Sequence, residues 1–146
     1  QDPFGAYAAV IPRFAMAMVK GDSPVINGDG EYSRDFTYID NIIQINQLAA
    51  LTDNPDALGT VFNAACGERT TLNGLVSVLR EHMSRFDESI AEIQPEYGPS
   101  RAGDIPHSLA SIGKAKSLLG YNPQFDFSSG IAAAAEWYFR NLKSSE

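Results

Sequence analysis

Arg34, Arg101 and Asp104 are the side chains of this 146-residue sequence whose type and setting could do chemistry on a ligand. Arg34 follows a turn-forming Asn27-Gly28-Asp29-Gly30. It precedes Asp40 and Asn41, which stand at the head of an apolar helical pattern, where a short oxygen-bearing side chain can cap free backbone N–H groups. Arg101 and Asp104 share one loop, Gly98 to Ser108, bracketed by proline and glycine, and such a loop can hold both side chains toward one ligand. A guanidinium fork matches two phosphate oxygens at once, and an acceptor-only carboxylate suits a pair of hydroxyl donors. Spacing alone favours a plainer reading, in which Arg34 pairs with Asp35, and Arg101 with Asp104, as weak exposed ion pairs.

Other chemistries have little support. His82 and His107 lie in no Ser/His/Asp or metal-ligand spacing and read as surface or packing residues. The single Cys66 excludes an internal disulfide and any cysteine cluster for zinc or iron–sulfur, and its apolar neighbours predict burial. With 18 acidic residues against 11 basic, a net charge of -7 and a pI near 4.7, the chain lacks the basic footprint of a nucleic-acid or anionic-membrane binder. A phosphate ligand would have to be held by a few local arginines. No stretch reaches the roughly 18 apolar residues of a membrane span, and no basic-then-apolar leader opens the sequence. The expected compartment is a reducing cytoplasm. The start at Gln1-Asp2-Pro3 has no initiator methionine and reads as if cut from something longer.

The elements that must position these residues read as one helix-rich α/β domain over residues 1–146 with few short strands. Pro12 opens a first helix through Phe14, Ala15 and Met18, closed by Lys20-Gly21. Val25-Ile26 and the run Phe36, Tyr38, Ile39 predict a β-hairpin across the Asn-Gly-Asp-Gly turn. Asp40 is expected to cap a second helix carrying Ile42, Ile45 and Ala49 inward, beside Leu48 and Leu51. Gly59 to Gly67 predicts a buried strand. Thr70 or Thr71 caps a third helix through Leu72, Leu75, Val76, Leu79 and Met83. A second, short or edge strand is expected within Ile90–Tyr97, because Pro95 interrupts it. A fourth helix opens near Ser108, runs through Ile112 and Ala115 and stops at Gly120. The last spans about Ser129 to Leu142, with Trp137 and Tyr138 as core aromatics.

Two of these segments carry a further signal. Gly28-Asp29-Gly30-Glu31-Tyr32-Ser33-Arg34-Asp35-Phe36-Thr37-Tyr38-Ile39-Asp40-Asn41 resembles the G-x-G-x-x-x-R-D-[FY] element of the nucleotide-sugar epimerases and dehydratases, the Rossmann-type extended short-chain dehydrogenase/reductases. Arg101-Ala102-Gly103-Asp104, followed by Lys114, Ala115, Leu119, Gly120, Tyr121 and Pro123, is similar to that family's C-terminal signature. The resemblance implies that Arg34 grips the sugar-nucleotide diphosphate, that Arg101 contacts phosphate or ribose, and that Asp104 accepts from the ribose hydroxyls. The N-terminal run Gln1 to Phe14 looks like the stretch after the catalytic half of bacterial UDP-N-acetylglucosamine 4-epimerases. That likeness puts Ala9 and Val10 along the sugar and pyrophosphate, Gln1 near the sugar and Asn27 near the uracil. Ser108 takes the position that lines the sugar pocket, where a small residue leaves space for a 2-acetamido group and a tyrosine excludes it. Such pocket volume discriminates by only about 1–3 kcal/mol.

The resemblance covers essentially the whole chain but corresponds to the C-terminal, substrate-binding half of such an enzyme. The family's reaction needs a glycine-rich turn for NAD and a tyrosine with a lysine four residues later. Gly28-Asp29-Gly30 is followed by polar residues and not by a helix, and none of the six tyrosines has the lysine. No catalytic, cofactor-binding or metal-binding residue is therefore expected in this chain. NAD belongs to the parent enzyme, whose N-terminal NAD-binding domain is the expected partner alongside the UDP-sugar; the fragment alone is expected to be inactive. The resemblance also implies a homodimeric parent. Two alternatives remain open at this point: a dehydratase or other epimerase of the same family, or a stand-alone, non-catalytic UDP-sugar-binding module.

Overall fold

The computed structural model describes residues 9–143. In chain order the elements are α1 (Val10–Val19), β1 (Val25–Asn27), β2 (Ser33–Arg34), α2 (Ile39–Leu51), β3 (Thr70–Thr71), α3 (Leu72–Met83), β4 (Glu96–Gly98), α4 (Gly113–Leu119) and α5 (Phe127–Lys143), with 3₁₀ turns at Pro55–Ala57 and Glu88–Glu92. The expected α/β class, rich in helix and poor in strand, is what forms. Two compact units divide the chain. The first takes Gln1–Tyr32, Thr71–Pro106 and Ile131–Glu146, and the second takes Ser33–Thr70 and His107–Gly130.

In the first unit, α1 buries Pro12, Phe14, Ala15 and Met18 and packs on α3. Pro12 is tolerated because an N–H in the first turn would have no intrahelical partner. Helix α3 starts as expected: the Thr71 hydroxyl accepts the Gly74 N–H at 3.0 Å, which satisfies one of the orphan donors of the first turn. The inward row Leu75, Val76, Leu79 and Met83 follows at helical spacing, with His82 also buried beside it. From α5, Ile131, Ala135, Tyr138 and Leu142 are buried. Trp137 is not the core aromatic expected of it: it is 51% exposed and meets the Tyr138 ring edge-on at 5.5 Å. One residue is 100° of helical rotation, which carries Trp137 off the buried stripe.

The hairpin does not form. Strand β1 pairs in parallel with β4, Val25 opposite Glu96, Ile26 opposite Tyr97 and Asn27 opposite Gly98, and the Gly28 N–H extends the ladder to the Gly98 carbonyl at 3.0 Å. Gly30 still turns the chain, at φ +81°, and a Cβ there would come within 2.1 Å of Asn73 Oδ1. Asn73 occupies that space because its amide donates to the Asp29 carbonyl (3.1 Å) and to Glu31 Oε1 (2.7 Å). The strand expected within Ile90–Tyr97 is a 3₁₀ turn in its first part, opened by the Asp87 carboxylate accepting the Ser89 N–H. Only Glu96–Gly98, just after Pro95, is strand.

The second unit is built on a cluster of Ile45, Ala57, Ala65, Ile112, Ala115, Leu119 and Tyr121, with Leu48 and Phe62 packed against it. Helix α2 has Tyr38 at its N-cap and no side-chain cap, so Asp40 does not cap it. Asp40 lies in the first turn, where a carboxylate complements the helix dipole. The inward face is also narrower than expected, with Ala49 and Leu51 exposed. The segment 59–67 is not a buried strand: it enters no ladder, and Val61 is 84% exposed. Side chains anchor it, Asn63 Nδ2 donating to the Ser111 carbonyl and Lys114 Nζ to the Val61 carbonyl, each at 3.0 Å. Helix α4 begins at Gly113, later than expected, and ends as expected at Gly120 in the left-handed region (φ +67°). The next residue, Tyr121, is buried and donates its hydroxyl to the Ala65 carbonyl at 2.9 Å.

Asp126 opens α5 by accepting the Ser129 N–H (2.7 Å) and hydroxyl (2.6 Å). These bonds hold its carboxyl below the ordinary carboxylate range. A pKa lowered by folding means stability present above that range and lost as pH falls through it. Asp126→Ala should therefore cost about 1 kcal/mol at neutral pH, a usual capping value, and progressively less in acid. A stability difference that stays constant in pH-resolved denaturant titrations would refute the capping role.

Candidate functional site

The central residue is Ser33, in β2, which is only 4% exposed. It makes an isolated parallel bridge with His107. Its carbonyl accepts the Ser108 N–H at 3.0 Å and Arg34 Nη1 at 2.8 Å. Its hydroxyl lies 2.9 Å from His107 Nδ1. Arg34 and Ser108, from two motifs far apart in sequence, thus lie within hydrogen-bond reach of one oxygen. Arg34 is half-buried and Ser108 exposed.

Asp35 is the second anchor. Its Oδ1 accepts the Cys66 N–H at 3.0 Å, and its Oδ2 accepts the Gly67 N–H at 2.9 Å and the Ala110 N–H at 3.4 Å. The carboxylate therefore ties Arg34's own segment to residues 66–67 and to the segment after Ser108. Cys66 is half-buried, less than expected. Burial first, and the neighbouring Asp35 charge second, push its thiol pKa up. It sits protonated beside the Asn41 amide (3.5 Å) and the Phe125 carbonyl (3.6 Å).

The remaining candidates belong to the first unit. Asn27 is exposed at the end of β1, opposite Gly98. Ser100 Oγ would lie 3.2 Å from a Cβ on Gly28, so the loop that starts after β4 runs beside Asn27 and Gly28. Within that loop the Asp104 N–H donates to the Arg101 carbonyl at 3.3 Å around Gly103 (φ +88°). Arg101 is exposed and Asp104 half-buried. The link between them is this backbone bond; among the described residues their side chains form no ion pair. Ala9, at the N-cap of α1, and Val10, its first residue, are half-buried. Gln1 lies outside the described residues.

Sequence reasoning missed Ser33 and treated His107 as surface or packing. The only signal was that each stands beside a motif residue, Ser33 before Arg34 and His107 before Ser108; the contact between them spans 74 residues. Among the described residues, no group of three or more His, Cys, Asp or Glu could hold a metal. None of their helices is long and apolar enough to cross a membrane.

The helix-rich α/β chain with few short strands matches the Rossmann-like fold of the extended short-chain dehydrogenase/reductases. The profile of the GDP-mannose 4,6 dehydratase family matches residues 5–134, and the chain belongs to that family, within the extended short-chain dehydrogenase/reductases, corresponding to their C-terminal part. It is 32% identical to the UDP-glucose 4-epimerase of Mycolicibacterium smegmatis over 97% of this chain and 42% of that one. Among solved structures it matches the UDP-glucose 4-epimerase of Thermotoga maritima with UDP-glucose (TM-score 0.82, 34% identity, covering 97% of this chain and 42% of that one). It also matches the UDP-N-acetylglucosamine 4-epimerase of Methanobrevibacter ruminantium in complex with UDP-N-acetylmuramic acid (TM-score 0.82, 36% identity, covering 96% and 42%). The chain thus spans about two fifths of the length of these relatives.

Proposed function

We propose that this chain is the nucleotide-sugar-binding part of an NAD-dependent 4-epimerase that interconverts UDP-N-acetylglucosamine and UDP-N-acetylgalactosamine. The observation that carries the reading is the convergence of Arg34 and Ser108 on the Ser33 carbonyl. It holds the Ser108 backbone and the Arg34 guanidinium at one oxygen, which supports a reading in which the guanidinium serves the diphosphate and the small Ser108 side chain leaves room for a 2-acetamido group. Arg101 serves phosphate or ribose, Asp104 the ribose hydroxyls, and Asn27, Ala9, Val10 and Gln1 the roles that the family likeness gives them. NAD, held by the parent enzyme's N-terminal domain, supplies the removal and return of hydride at C4. This chain binds and orients the sugar nucleotide and by itself turns nothing over. The parent enzyme acts as a homodimer in the cytoplasm.

Calorimetry of the chain with UDP-N-acetylglucosamine and UDP-glucose tests the reading. Arg34→Ala should weaken both by about 1.5–3 kcal/mol, the usual worth of a charge-assisted bond. Ser108→Tyr should weaken the N-acetylated sugar alone, by about 1–3 kcal/mol. Affinity unchanged in Arg34→Ala removes the phosphate role. An unchanged preference in Ser108→Tyr removes the acetamido assignment.

A further inference from the structure

We propose that His107 is a second direct donor to the diphosphate beside Arg34, and that Ser33 is the positioning residue for both; this rests on the reading above that Arg34 grips that group. A buried hydroxyl needs an acceptor for its proton. For Ser33, His107 Nδ1 at 2.9 Å fills that role in the tautomer that leaves Nδ1 unprotonated. A neutral imidazole that accepts at Nδ1 carries its proton on Nε2. In that tautomer His107, an exposed residue, presents an Nε2–H that its contact with Ser33 does not consume.

The backbone fixes where that donor stands. The parallel bridge and the Ser108 N–H to Ser33 carbonyl bond hold His107 directly across from Ser33. Arg34 is the next residue along β2, and its Nη1 is pinned to the same carbonyl. One buried serine therefore orients an imidazole through its hydroxyl and a guanidinium through its carbonyl. N–H donors of this kind suit an anion with several acceptor oxygens, and the diphosphate is such an anion.

The test compares UDP with uridine, by calorimetry on the 146-residue chain, so that the phosphate contribution is read as a ratio of affinities. Asparagine can place its amide oxygen where Nδ1 accepted and offers no donor at the Nε2 position; the glutamine amide reaches toward that position. His107→Asn should bind UDP about tenfold more weakly, the loss of roughly one charge-assisted bond, and bind uridine unchanged. His107→Gln should recover most of that loss. Ser33→Ala should weaken UDP and spare uridine, and Ser33→Thr, which restores the hydroxyl, should rescue it. If Arg34→Ala weakens UDP while His107→Asn binds it as the unsubstituted chain does, the inference falls and the proposed function stands. If the unsubstituted chain binds UDP no tighter than uridine and Arg34→Ala changes nothing, both fall.

Discussion

Asn41→Ala will destabilise the second unit by about 3–5 kcal/mol, the range expected when a buried network loses a member and leaves a cavity. Asn41 is 0% exposed in the first turn of α2. Its Oδ1 accepts the backbone N–H groups of Gln124 (2.9 Å) and Phe125 (3.1 Å), and its Nδ2 donates to the Phe125 carbonyl at 2.7 Å. The side chain thus does for the 124–125 backbone what a neighbouring strand would do, and without it two donors lose their partner and the Phe125 carbonyl keeps only the weak Cys66 thiol donor. Asn41→Asp keeps the acceptor for both N–H groups but sets a carboxylate against the Phe125 carbonyl, so it should also be destabilised. Urea titrations followed by far-UV circular dichroism measure both variants. A loss below about 1 kcal/mol for the alanine would show that this backbone finds water instead.

Much of the fold was legible where its cause is local. The Thr71 cap, the Gly120 stop and the inward rows of α1 and α3 depend on residues within one or two turns of each other. The errors share the opposite property. The turn glycines before Arg34 were correctly read as a bend, but β1 takes its partner from Glu96–Gly98, and nothing in Val25-Ile26 announces a distant parallel strand. Gly59 to Gly67 has the apolar content of a buried strand and is held instead by its own Asn63 side chain and by that of Lys114. Asn41 looked like half of a helix cap, yet its side chain turns toward Phe125, far along the chain. The site follows the same division. The motifs nominated Arg34 and Ser108 separately, and only the folded chain places both on Ser33.

Asp35→Ala should cost about 2–4 kcal/mol, since Cys66, Gly67 and Ala110 would each keep an N–H without its acceptor. The plainer reading of Asp35, an exposed counter-ion to Arg34, predicts less than about 1 kcal/mol and a loss that shrinks in salt. The amide clamp predicts a larger loss that salt barely changes, so denaturant titrations at low and high salt separate the two. Cys66 provides a local readout of the same event. Its thiol pKa is raised chiefly by burial and then by the Asp35 charge, and removing that charge lowers it. A lower pKa means more thiolate at a given pH, and thiolate is the form that alkylates. Under native conditions, Cys66 in Asp35→Ala should therefore react faster with iodoacetamide than in the unsubstituted chain. Asp35→Asn should fall between the two, because the amide also lacks the charge but keeps one oxygen for the clamp. If alkylation rates are equal in all three while stability drops, Asp35 holds the loop without governing the thiol. If stability is untouched, the clamp is not what fixes Arg34 in place.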